Sequence, residues 1–199
     1  MKLVDVLVGN YVFCKSKKAY SKGDFILALN YAEKACNLTP NKITYLKYYS
    51  FLCSKVGDEK KEFEVLNKII SLKKDDYESL FNLGCEYEGS GKITDAKRLY
   101  ERAIQINSLF VPAWNNLGLI VLDSEENPEV ALKYIEKAIS ISPDDPRVNC
   151  SYGKCLISLN RDTEAEKILI NLIKEDSENY HALYWLGVIN EKKEIINYP

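Results

Sequence analysis

The chain has 199 residues, of which 46% are hydrophobic and 28% charged, and its formal net charge is -2. These are the proportions of a globular chain long enough to bury a sizeable core, and the near-neutral balance leaves no basic footprint for nucleic acid. Acidic and basic residues are interspersed, as on solvated helix faces.

At the N-terminus, MKLVDVLVGNYVFC has an apolar run broken by Asp5 and followed by no small-residue cleavage site. It reads as the start of a helix rather than a secretory leader. No run reaches the roughly 18 apolar residues of a membrane span. From about residue 9 onward the sequence repeats. Gly84, Gly118, Gly153 and Gly187 are spaced by 34, 35 and 34 residues, and Ser50 and Ser16 continue the series backwards at 34. Ala28, Glu62, Ala96, Ala131 and Ala165 form a second series, and Ala35, Ile69, Ala103, Ala138 and Leu172 a third. Gly23, Gly57 and Gly91 recur with the same period, and Pro40 and Pro143 close two of the units.

Units are expected from about residues 9, 43, 77, 111 and 146, with a further helix from about 180, all within one domain. The unit at 77 shows the plan. Leu80, Leu83, Gly84 and Tyr87 recur at helical spacing, Gly89 and Gly91 break the helix, and Ala96, Leu99, Tyr100, Ala103 and Ile104 form a second stripe. Gly and Ala at the contact let two helices approach closely while larger residues fill the groove. The unit at 43 departs most, with Glu62 and Lys74 where the pattern has small and proline positions, and reads as a looser or shifted joint. The unit at 111 carries one extra residue around Ser124–Pro128, with Pro128 opening its second helix.

Trp114, Leu117, Gly118, Ala131, Ala138 and Pro143 resemble the signature of tetratricopeptide repeats, as do Leu83, Gly84, Tyr87, Ala96, Tyr100 and Ala103. Val121 and Ile135 stand where the signature has Tyr and Phe. The resemblance covers nearly the whole chain. It implies an all-α right-handed solenoid of helix-turn-helix repeats, about five units plus a C-terminal helix, whose first helices line a concave groove. It also implies a non-catalytic adaptor that takes a peptide segment or partner helix in that groove, with no cofactor.

The groove-facing positions include Phe13, Lys17, Tyr20, Tyr48, Phe51, Phe81, Asn82, Cys85, Asn115, Asn116, Leu119, Arg147, Ser151, Lys154, Tyr184 and Trp185. Phe13, Tyr48, Phe51 and Phe81 either offer a partner an aromatic stripe or pack on one another. Asn82 and Asn116 hold equivalent places, where an asparagine in this family can read a peptide main chain. Asn115 and Asn116 are both expected to turn away from the helix pair. Reading from the first unit, the family's carboxylate-clamp places hold Phe13, Lys17, Tyr48, Glu78 and Asn82, and the best later register offers only Asn116 with Arg147. The clamp is therefore absent, and no long asparagine ladder is present.

Tyr180 to Ile189 is apolar on nearly every side, so Tyr184, Trp185, Val188 and Ile189 are expected to meet a second subunit, as in a homodimer, or a partner. Otherwise the tail folds back over them with Ile195 and Ile196. An assembly subunit acting through this face is the alternative function.

Enzyme readings fare worse. Gly89-Ser-Gly-Lys92 lacks the first glycine of a phosphate loop and joins two helices. His181 is the only histidine and has no partner motif, and the acids of Asp123–Glu126 lack calcium-loop spacing. Cysteines 14, 36, 53, 85, 150 and 155 include no Cys-x-x-Cys pair, so they read as free thiols of a cytoplasmic protein rather than as a metal or redox site. Asn37-Leu-Thr39 and Asn149-Cys-Ser151 then read as chance glycosylation triplets.

Overall fold

Each apolar stripe of the sequence forms a helix, and the breakers between stripes form tight turns. The structure, a computed structural model, describes residues 3–197, with side chains described as far as Glu194. The described residues form α1 (Leu3–Tyr20), α2 (Phe25–Leu38), α3 (Ile43–Val56), α4 (Glu59–Leu72), α5 (Tyr77–Gly89), α6 (Ile93–Ile106), α7 (Val111–Ser124), α8 (Pro128–Ile141), α9 (Pro146–Ser158), α10 (Asp162–Glu175) and α11 (Tyr180–Asn197). No strand occurs among them. The odd-numbered helices from α3 onward begin at residues 43, 77, 111, 146 and 180, so helix starts recur with the period of the small residues. α1 begins earlier than that phase, at Leu3 rather than near residue 9.

Short polar side chains start many of these helices. Asp24, Asp58 and Asn127 accept from the N–H groups of Leu27, Lys61 and Val130 at 3.0, 3.2 and 3.1 Å. Asp76 and Asp145 do the same for Ser79 and Arg147 at 3.2 and 2.9 Å. Each cap satisfies one N–H that the helix cannot pair internally.

The turn inside each helix pair needs one residue of positive φ. Gly23, Gly57 and Gly91 fill it at φ 79°, 74° and 76°, whereas the next two turns use Glu126 at 49° and Asn160 at 57°. A glutamate Cβ is strained there, and glycine is not. Glu126→Gly is expected to stabilise the protein by about 0.5–1 kcal/mol, the strain relief exceeding the added freedom of the unfolded chain. A urea midpoint that stays put or falls would show that no strain is held at this turn.

The helices gather into two compact units, residues 1–106 and 107–199. In the first, Val12, Ala28, Ala32, Leu46, Leu52 and Ile69 belong to one buried cluster. The second holds a cluster around Val121, Ile135 and Val148 and another around Leu156, Leu169 and Ile189. The small-residue series lies at the helix contacts. A Cβ on Gly84, Gly118 or Gly153 would come within 2.5, 2.5 and 2.9 Å of Tyr100, Ile135 and Leu169 on the helix that follows. α3 and α4 are regular helices of 14 residues each, and Glu62 stands at a buried contact position where the other repeats have alanine.

Cys36, Cys53, Cys150 and Cys155 are buried free thiols, and desolvation pushes those of Cys36 and Cys53 up to about 12. Cys14 departs from that pattern by lying exposed. The tail beyond Glu191 does not turn back, because α11 continues through it to Asn197. The Ile195 and Ile196 side chains expected to cover the last helix lie outside the described residues.

Candidate binding groove

In the 1–106 unit, the expected aromatic stripe is divided between the core and the surface. Phe13 is only 8% exposed and stacks on Tyr45, with ring centroids 4.1 Å apart, while Tyr48 meets it edge-on at 5.2 Å. Tyr20 packs edge-on against Phe51 at 5.5 Å. Phe13 therefore belongs to the core rather than to a partner surface. The reason is Tyr45, one helical turn from Tyr48, which the groove pattern did not include. Phe51 stays exposed, and the Lys17 ammonium lies 5.0 Å from the Phe13 ring. Phe81 is half-buried, 5.3 Å from the Tyr100 ring, and Asn82 is exposed. Cys85 accepts from the Tyr100 hydroxyl at 3.3 Å, and burial pushes its thiol up.

The apparent phosphate loop is a helix end. The Ser90 hydroxyl donates back to the Glu86 carbonyl at 2.9 Å, and Lys92 lies 5.4 Å from the Tyr87 ring. No group of three or more metal-ligating side chains occurs among the described residues, and none of their helices is long and apolar enough to cross a membrane.

In the 107–199 unit, α7, α9 and α11 line a half-open cavity of about 330 Å³. Of the expected groove positions, it brings together Asn115, Leu119, Arg147, Ser151, Lys154 and Trp185. Pro146, Cys150 and Asn179 also line it, as does His181. Asn179 was not legible as a wall residue because it precedes α11 instead of lying on it.

Most polar groups around this cavity are already occupied. Arg147 grips Asp145 through Nε at 3.3 Å and Nη2 at 3.0 Å, and this contact holds the Asp145 carboxyl below the usual carboxylate range. Lys154 donates to Asp123 at 2.6 Å and lies 5.5 Å from the Trp185 ring. The Ser151 hydroxyl donates to the Arg147 carbonyl at 3.0 Å, and Asn179 accepts from the Ala182 N–H at 3.1 Å. Both cations thus have carboxylate partners, which makes the cavity a poor trap for a bare anion.

Asn115 differs. It is 9% exposed, and its Oδ1 is buried without a hydrogen-bond partner. Asn115 thus lies on the cavity wall, on the side where the groove positions are expected, and is buried there. Successive helical residues are about 100° apart, so Asn115 enters the cavity wall while Asn116 stays half-buried.

The C-terminal face also differs from expectation. Ile189 is fully buried, and Trp185 and Val188 pack against the same core cluster. Ile189 offers no free face, because α9 and α10 cover that side of α11, whereas Trp185 and Val188 are only partly covered and Trp185 also lines the cavity. Tyr184 is exposed, with its ring edge-on to Trp185 at 4.9 Å.

Paired helices repeating every 34 or 35 residues, with a small residue of the first helix under a large one of the second, are accompanied by direct matches. Two family models described as tetratricopeptide repeat match residues 81–146 and 122–185, together more than half of the chain. The chain is a tetratricopeptide-repeat protein. Among curated relatives, this repeat protein is similar to protein O-mannosyl-transferase TMTC3 of Mus musculus, at 38% identity over 68 residues. That match takes in 34% of this chain but only 7% of the relative's length. Among solved structures, the pilF protein of Pseudomonas aeruginosa aligns at a TM-score of 0.76 with 17% identity, covering 94% of this chain and 84% of that one. YrrB, a repeat protein described as having an unusual peptide-binding site, aligns at 0.64 with 15% identity, covering 87% and 89%. These structural likenesses establish the all-α repeat fold.

Proposed function

We propose that this repeat protein is a non-catalytic adaptor that holds an extended peptide segment in the cavity of α7, α9 and α11. The observation that carries the reading is the buried, unpaired Oδ1 of Asn115 on the cavity wall. A buried acceptor without a donor costs about 1–3 kcal/mol, and a main-chain N–H of a bound peptide would relieve that cost. The same amide can donate to a peptide carbonyl, so it reads backbone without demanding one sequence. Leu119 and the Trp185 face supply apolar contact, while the paired Arg147 and Lys154 leave the site close to neutral. YrrB, which shares the fold, offers a precedent for peptide binding.

The reading is tested by selecting peptides from a random display library on the wild-type protein and measuring their affinity for Asn115→Leu. The variant is expected to bind at least about 10-fold more weakly, the equivalent of one lost hydrogen bond to a buried acceptor. It should also melt at a higher temperature, because the orphaned acceptor is gone from the free protein. Equal affinity in both proteins would remove Asn115 from the site. Failure to select any peptide would overturn the reading itself.

A further inference from the structure

The segment that resembles a phosphate loop borders a cavity of another kind. Gly89, Ser90 and Lys92 line a half-open space of about 500 Å³ that lies within the 1–106 unit. Glu59, Lys60 and Phe63 line it from the start of α4, and Cys85, Glu86 and Tyr87 from the end of α5. The rings of Phe63 and Tyr87 meet edge to face at 5.6 Å and give it an aromatic lining.

What marks this cavity is carboxylate without cation. Among the described residues, Glu59 and Glu86 form no ion pair, and Lys61, on the same turn of α4 as Glu59, is turned to Asp58 at 3.4 Å and Glu33 at 3.9 Å. Lys60 is exposed, and the Lys92 ammonium lies 5.4 Å from the Tyr87 ring, so neither lysine of the lining neutralises them. One turn along α4, Glu62 is only 6% exposed and has no basic partner either, its hydrogen bond coming from Ser54. The charges that press on it are Glu86 and Glu59, both of the cavity lining. The C-terminal end of α5 adds the partial negative charge of its last carbonyls. A cation would complete this place, and the lining selects which kind. The carboxylates do not gather into a metal-ligating group among the described residues. A guanidinium, by contrast, is planar, offers separate N–H groups to two carboxylates, stacks on aromatic rings and sheds water readily. We infer that the cavity binds an arginine side chain of a partner protein, its guanidinium between Glu59 and Glu86 and its stem along Phe63 and Tyr87. The chain itself displays part of this chemistry, with a lysine already against the Tyr87 ring. The site shares no residue with the Asn115 cavity and stands whether or not that cavity takes a peptide.

The test is a titration of the full chain with the blocked tripeptide acetyl-Gly-Arg-Gly-amide, followed by NMR of the backbone amides. Low ionic strength is used because partly exposed carboxylates are least screened there. The same tripeptide with citrulline, close in shape but uncharged, is the comparison. The arginine tripeptide is expected to shift the amides of residues 59–63 and 85–92 saturably, and the citrulline tripeptide to leave them in place. Glu59→Gln combined with Glu86→Gln should weaken arginine binding at least about 10-fold through the loss of charge-assisted hydrogen bonds. Gly89→Leu should weaken it by bulk alone. A side chain at Gly89 meets no atom within 4 Å, so this variant should fold and fill part of the opening. Asn115→Leu should bind the arginine tripeptide as the wild type does, which separates this site from the cavity of the 107–199 unit. Equal shifts with citrulline, or arginine binding that survives the double glutamine variant, would overturn the inference. So would arginine binding that is lost in Asn115→Leu, which would place the side chain in the other cavity.

Discussion

Gly118→Val is expected to destabilise the 107–199 unit by about 3 kcal/mol, whereas Gly187→Ala, at the same place in the repeat, should stabilise it by about 0.5–1 kcal/mol. The opposite signs follow from what stands in front of each glycine. A Cβ at Gly118 would lie 2.5 Å from Ile135 Cγ1 and 3.3 Å from the Ala131 carbonyl oxygen. Ile135 and Ala131 are both fully buried. A β-branched side chain in a helix has essentially one χ1 rotamer, so Ile135 cannot swing aside. The α7–α8 pair must separate, and the contacts of Val121 and Ala138 loosen with it. At Gly187 no atom lies within 4 Å, and an alanine there only removes the entropic cost of glycine inside a helix. Urea midpoints of the two variants read the difference. Combining Gly118→Val with Ile135→Ala should cost less than the sum of the single losses, because the second change makes room for the first. Additive losses, or an unchanged midpoint for Gly118→Val, would show that the pair is not held by this close approach.

This glycine series also explains why so much of the fold was legible. A helix that packs against a neighbour one repeat away must place its small residue at the same phase each time, so a three-dimensional contact becomes a one-dimensional period. The helix starts and the Glu126 and Asn160 turns follow from that period, because short connections leave little freedom between helices. α1 escaped it at one end. Leu3 to Val8 precede the first repeat and have no equivalent from which a phase could be read.

The site was less legible, and the misses share one cause. Period and phase say which face of a helix points toward the groove, but not how far each side chain is covered by its neighbours. Phe13 and Tyr48 fall in one stripe that could face a partner or pack on itself, and it is Tyr45, stacked on Phe13, that draws Phe13 into the core. Asn115 and Asn116 are adjacent, and only rotation about the α7 axis separates a cavity-wall acceptor from its half-buried neighbour. Trp185, Val188 and Ile189 looked uncovered because Tyr180 to Ile189 is apolar on nearly every side, but α9 and α10 already pack against that side. The open side is the one carrying Tyr180, Leu183 and Tyr184, which a helix apolar all round could not disclose in advance. Trp185→Glu would therefore report on folding as much as on association.

Glu62→Gln is expected to stabilise the 1–106 unit by about 2–3 kcal/mol at pH 8 and by little at pH 4.5. Glu62 occupies a place where four other repeats have alanine, and it is only 6% exposed. Burial pushes its carboxyl up to about 7, repulsion from Glu86 and Glu59 adds to the rise, and a hydrogen bond from Ser54 only partly offsets it. Because the folded value lies above the ordinary value of 4.5, the cost of the buried charge is fully present above about pH 7. It fades as pH falls and is gone below the unfolded value, where both states carry the proton. Wild-type stability should thus rise on acidification from pH 7 toward 4.5, the reverse of what a paired carboxylate produces. Asp76 and Asp145 are held below 3.8, so the stability they contribute is lost only at more acidic pH and leaves this window clear. Glu86 is also raised, by burial and by Glu59, and should leave a shallower slope of the same sign in the variant. Urea unfolding at half-unit steps across the window measures both slopes. Parallel profiles for wild type and Glu62→Gln would mean that Glu62 reaches water in solution. A slope clearly steeper in the wild type than in the variant would instead identify the glutamate at this alanine position as the chief cost of packing α4 into the repeat.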